Sequence, residues 1–109
     1  MTEGVASFGL CRARPGREAE LGRRMAELTM PTRAEPGCLR YDLYRDLKDP
    51  AVWIFFEEWE SAEQLKAHGE SAHLRAFLAV ATELLEGSPE SHAATLVDCG
   101  ADIPENVSP

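Results

Sequence analysis

The sequence predicts one α+β domain with the element order βαββαβ, built to pair with a second copy of itself. Three observations carry this reading. Stretches of period-two alternation frame two amphipathic helical segments; a short loop with turn chemistry joins the two central strands; and the third strand is apolar on both faces.

Val5 to Arg14 is a predicted strand with Ala6, Phe8 and Leu10 on one face, broken by Pro15-Gly16. Glu18 to Thr29 is a predicted helix, with Leu21, Met25 and Leu28 at helical spacing and Pro31 as its stop. After the turn Glu35-Pro36-Gly37, Cys38 to Asp46 alternates, with Leu39, Tyr41 and Leu43 on one face. The loop Leu47-Lys48-Asp49-Pro50 implies an antiparallel hairpin into Ala51 to Trp59. There Val52, Ile54 and Phe56 form one face and Trp53, Phe55 and Trp59 the other. A strand apolar on both faces is covered on both. The chain's own helices cover one, and a second subunit is the simplest cover for the other. Ser61 caps a short helix ending near Gly69. Ser71 caps the next, whose stripe Leu74, Phe77, Leu78, Ala81, Leu84 and Leu85 is the strongest helical signal. Gly87-Ser88-Pro89 ends it, and Ala93 to Cys99 is the predicted last strand. Residues 1–99 thus form the domain and 100–109 a tail.

At 109 residues the chain fits one modest core. A formal net charge of −8 repels phosphate, which argues against nucleic acid as a partner. The first apolar stretch, Val5 to Cys11, is interrupted by Ser7 and Gly9 and runs into Arg12, so no signal core or membrane span is expected and the location expected is cytoplasmic. Cys11, Cys38 and Cys99 form no C-x-x-C pair, so neither a disulfide framework nor a zinc site is expected. His68 and His73, five residues apart with no fixed third ligand, match no metal spacing.

The densest group of chemistry-bearing side chains runs from Glu57 to His73. Pro15-Gly16, then Glu35-Pro36-Gly37-Cys38-Leu39-Arg40-Tyr41-Asp42, then Asp49-Pro50, then Glu57-x-Trp59 followed by Ala67-His68, Ser71, His73 and Phe77 form an ordered set. This set, spanning about Val5 to Cys99, resembles the antibiotic-biosynthesis-monooxygenase domain family. The resemblance implies a ferredoxin-like fold assembled as a dimeric α+β barrel. It also implies quinol- or anthrone-type monooxygenase activity without flavin, metal or haem; other members isomerise a phosphorylated signal molecule or degrade haem. Haem-degrading members carry an Asn in strand one and a His in the last helix where Gly9 and Leu78 stand here, so haem is not expected. Anthrone-oxidising members carry an Asn where Phe55 stands.

The oxygenase chemistry needs a base, donors for an oxyanion and a dry apolar cavity. His68 or His73 is the candidate base, with Tyr41 and Glu57 as polar contacts and Trp59, Phe55 and Phe77 as walls; the expected partners are a small aromatic substrate and O2, with no cofactor and a homodimeric assembly. Glu57, on a strand with apolar neighbours, needs a partner such as Arg40, Arg45 or a histidine. The alternatives are an acid–base isomerase on the same scaffold, or a non-catalytic small-molecule-binding dimer.

Overall fold

The computed structural model describes residues 4–97. Four strands and four helices follow in the order β1 (Val5–Arg12), α1 (Glu18–Ala26), α2 (Thr29–Arg33), β2 (Cys38–Arg45), β3 (Val52–Trp59), α3 (Ala62–Gly69), α4 (Ala72–Leu84) and β4 (Glu90–Thr95). The strands form one antiparallel sheet ordered β2-β3-β1-β4, the ferredoxin-like arrangement that the sequence implied. None of the described helices is long and apolar enough to cross a membrane.

Pleating sends Ser7 and Cys11 of β1, Tyr41 of β2, and Phe55, Glu57 and Trp59 of β3 into the interior beneath the helices. Leu21, Met25 and Leu28 meet them from the first helical segment, and Phe77, Ala81, Leu84 and Leu85 from α4 and its C-cap. Ser61 and Ser71 cap as the sequence indicated: their hydroxyls accept from the amides of Gln64 and Leu74. At the far end of α4 the Arg14 guanidinium donates to the carbonyls of Thr82 and Leu85, satisfying groups the helix leaves unpaired. The opposite sheet face is open, with Phe8 stacked near Phe56 and both Leu39 and Tyr44 exposed.

The structure corrects three local readings. The first helical segment is two helices, and Pro31 sits inside the second rather than stopping the first. It occupies the first turn of α2, where a missing amide hydrogen costs nothing. Leu39 does not share a face with Tyr41. Cys38 pairs with Trp59 and Arg40 with Glu58, so Leu39 is an extra residue in a bulge and lies exposed. The last strand begins at Glu90, before the predicted Ala93. Leu96 and Val97 follow it as exposed residues, and Cys99 lies outside the described residues.

Candidate functional site

The inner face of the sheet and the helices α3 and α4 bound an open cavity of about 370 Å³. Phe55, Leu65, Leu74, Phe77 and Leu78 supply most of its wall, and Tyr41, Glu57 and His68 supply polar groups. Ser7, Cys11 and the segment Pro89-Glu90-Ser91 also line it. A pocket mainly apolar with a few converging polar groups is the ordinary form of a small-molecule site.

Each polar group is held by its own element. Glu57 and Trp59 alternate on β3 and so point to the same side, and the Trp59 indole N–H donates to Glu57 Oε1 at 3.0 Å. His68 lies in the last turn of α3 and is 4 % exposed. Its ring packs between Trp59, at 5.0 Å between centroids, and Tyr41, at 5.5 Å. His68 Nε2 stands 3.8 Å from Glu57 Oε1, and its other nitrogen, Nδ1, is 2.7 Å from Glu35 Oε2. The same carboxylate oxygen lies 2.7 Å from His73 Nε2.

The electrostatics follow from this burial. Glu57 is held above the ordinary carboxylate range, first by desolvation and further by the charge of Glu35; the Trp59 N–H and His68 oppose the shift. Burial also raises the Tyr41 phenol, and the neighbouring Glu57 charge adds to it, so Tyr41 stays a neutral hydrogen-bond donor. Cys11, which also lines the cavity, is pushed up to about 11 by burial, which leaves it a thiol.

Of the sequence-predicted site residues, Tyr41, Glu57, His68, Phe55 and Phe77 come together at the cavity. Trp59 and His73 do not line it. Trp59 is fully buried behind Glu57, and His73 stands behind Glu35, facing a shallow groove beside α1. Glu57 finds Trp59 and His68 rather than Arg40 or Arg45, which bond to Asp42 and the Pro50 carbonyl. Sequence reasoning missed Glu35 as a site residue, although the turn Glu35-Pro36-Gly37 was visible. Leu65, Leu74, Ser7 and the Pro89-Glu90-Ser91 segment were also missed as lining.

Glu35 gives the two histidines the third donor that their spacing alone lacked, and the three donor atoms lie within 4.8 Å of one another. Two ligands on one metal ion stand about 3 Å or more apart at ordinary bond lengths. The 2.7 Å contacts are instead hydrogen-bond lengths, and they account for the cluster as a bonded triad.

Comparison with known proteins agrees with the fold. YcnE of Bacillus subtilis is 30% identical over 74 residues, covering 68% of this chain and 78% of that one. Rv0793 of Mycobacterium tuberculosis is 35% identical over 85 residues, 78% of this chain and 83% of its own. The solved structure of Rv0793 superposes with a TM-score of 0.82 at 30% identity, over 90% of this chain and 99% of that one. PA3566 of Pseudomonas aeruginosa superposes with a TM-score of 0.83 at 28% identity, over 89% and 97%. The profile of the family described as antibiotic biosynthesis monooxygenase matches residues 7–80, most of the described domain. This chain therefore belongs to the antibiotic biosynthesis monooxygenase family.

Proposed function

We propose that this chain is a cofactor-independent monooxygenase that oxidises a small phenolic or quinol-type molecule with O2. The observation that carries the reading is the pair His68 and Glu57, buried at the edge of an apolar cavity of about 370 Å³ with the Tyr41 side chain beside them. Two of the relatives, YcnE and Rv0793, are provisionally named monooxygenases, which supports the same class.

The chemistry assigns each residue a role. His68 Nε2 accepts the phenolic proton, because a phenolate gives an electron to oxygen far more readily than a phenol. Tyr41 donates to the resulting oxyanion. The phenolate and O2 form a radical pair that recombines as a peroxide anion on the ring carbon, and protonated His68 returns its proton to make the hydroperoxide. His68 then takes that carbon's proton as the O–O bond breaks, leaving one oxygen as a carbonyl and the other as a departing hydroxide. The proton now on His68 passes to that hydroxide, which leaves as water. Phe55 and Phe77 hold the ring and keep water out, while Trp59 fixes Glu57.

The open sheet face supports a homodimer. Phe8, Leu39 and Phe56 there line a second concavity of about 410 Å³, and a second copy would cover it. Among the described residues no lysine or arginine lines the cavity at His68 and Glu57, which disfavours isomerisation of a phosphorylated substrate.

The test is oxygen uptake by the purified protein over a series of hydroquinones and hydroxynaphthalenes mixed anaerobically before O2 is admitted. Uptake that falls at least about a hundredfold in His68→Ala supports the reading. Uptake no faster than the uncatalysed reaction for the whole series would end it.

A further inference from the structure

We infer that Glu35 is a positioning residue that fixes the tautomer of His68, so that an unprotonated ring nitrogen faces the cavity. The inference rests on the proposed role of His68 as proton acceptor, and it stands on geometry independent of any substrate.

An ionised carboxylate carries only lone pairs. Two ring nitrogens at 2.7 Å from one of its oxygens must therefore both donate, His68 through Nδ1–H and His73 through Nε2–H. A neutral imidazole has one N–H. If His68 carries it on Nδ1, then Nε2 holds a free lone pair, and Nε2 stands 3.8 Å from Oε1 of Glu57, which lines the cavity with His68. The ring is 4 % exposed, so bulk water does not compete to invert it. Among the described residues only Glu35 bonds Nδ1.

Glu35 is itself held from several sides. Its amide donates to the Thr32 carbonyl at 3.0 Å, and its carbonyl accepts from Cys38 N at 3.2 Å. Gly37, at φ 83°, closes the turn, and its carbonyl accepts from Glu60 N at 2.9 Å, tying the turn to the end of β3. The second bond, from His73, keeps the carboxylate from rotating away. His73 thus acts through Glu35 and not on the substrate. The logic is that of a carboxylate behind a catalytic histidine: it selects the tautomer and then stabilises the imidazolium that forms.

The test uses uniformly 15N-labelled full-length protein, whose three histidines give a short ring spectrum. Long-range 1H–15N correlation at about pH 8, above the ordinary histidine range, reads each tautomer directly. The expected result is His68 with a protonated Nδ1 and a bare Nε2, and His73 with a protonated Nε2. In Glu35→Gln the amide can donate to Nδ1, so the His68 proton moves to Nε2. Turnover of an active hydroquinone then falls by about a hundredfold or more while KM moves by less than about threefold. A wild-type His68 that carries its proton on Nε2, as the other tautomer or as imidazolium, overturns the inference, even if the Gln variant cannot be folded. A wild-type Nδ1–H tautomer in a protein that turns over no hydroquinone leaves the positioning role standing and refutes the oxygenase reading instead.

Discussion

Replacing Trp59 by Phe probes the bond on which the placement of Glu57 depends. Trp59 is fully buried, and its indole N–H reaches Glu57 Oε1 at 3.0 Å, while Glu57 is only 7 % exposed. Phenylalanine removes the donor and leaves a buried acceptor short of a partner, which costs about 1–3 kcal/mol. The lost ring volume adds about 1 kcal/mol, because the well-packed surroundings collapse only in part. The expected loss is therefore about 2–4 kcal/mol, read from urea denaturation at fixed protein concentration. Glu57→Leu removes the acceptor, and the double variant removes both partners at once. The cycle should then show a coupling of about 1–2 kcal/mol, with the double variant less damaged than the sum. A Trp59→Phe variant within about 0.5 kcal/mol of the parent, or an additive cycle, would refute the claim that Trp59 holds Glu57 in place.

Other variants test other parts of the account. Because burial raises the Glu57 carboxyl, its contribution to stability is present below the ordinary carboxylate range and is lost as pH rises through the folded-state value. Glu57→Gln keeps an oxygen for Trp59 without the charge, so thermal denaturation should show a variant that gains on the parent as pH rises. Gly37→Ala forces a side chain onto φ 83° and drives its Cβ into the Gln64 amide of α3, which should lower stability by about 1–3 kcal/mol in the same urea assay. Cys11, at about 11, should resist iodoacetamide in the folded protein at neutral pH and react once denatured, as read by mass spectrometry. Phe8→Asp places a charge on the open sheet face and should turn a dimer into a monomer in sedimentation experiments; a parent that is itself monomeric would contradict the proposed pairing.

What the sequence made legible follows from how local each signal is. The paired strands β2 and β3 and the long helix α4 announce themselves through alternation, a Ser cap and a helical apolar stripe, all within one segment. The strand β4 has no such pattern. Glu90 to Thr95 contains no large apolar side chain, and its place is set by pairing with the far edge of β1. The bulge at Leu39 is invisible to a period-two reading because it depends on which partner each residue meets. In the site, Glu57 was legible as a carboxylate among apolar neighbours, Tyr41 as a phenol on the apolar face of its strand, and His68 as a histidine in the ordered set that carries the family resemblance. Glu35 was not, because it stands on a turn 33 residues from His68, and only the folded chain brings the two together. Trp59 resembled a cavity wall, but its indole turns toward its neighbour on the same strand face instead.

The central claim is that one atom of O2 enters an organic product at the cavity held by His68 and Glu57. The most direct measurement is mass spectrometry of the product formed from an active hydroquinone under 18O2. The account predicts one heavy oxygen in the product and the other in water, with labelling lost in His68→Ala. A product that takes its new oxygen from solvent, or labelling that persists unchanged in that variant, would contradict it.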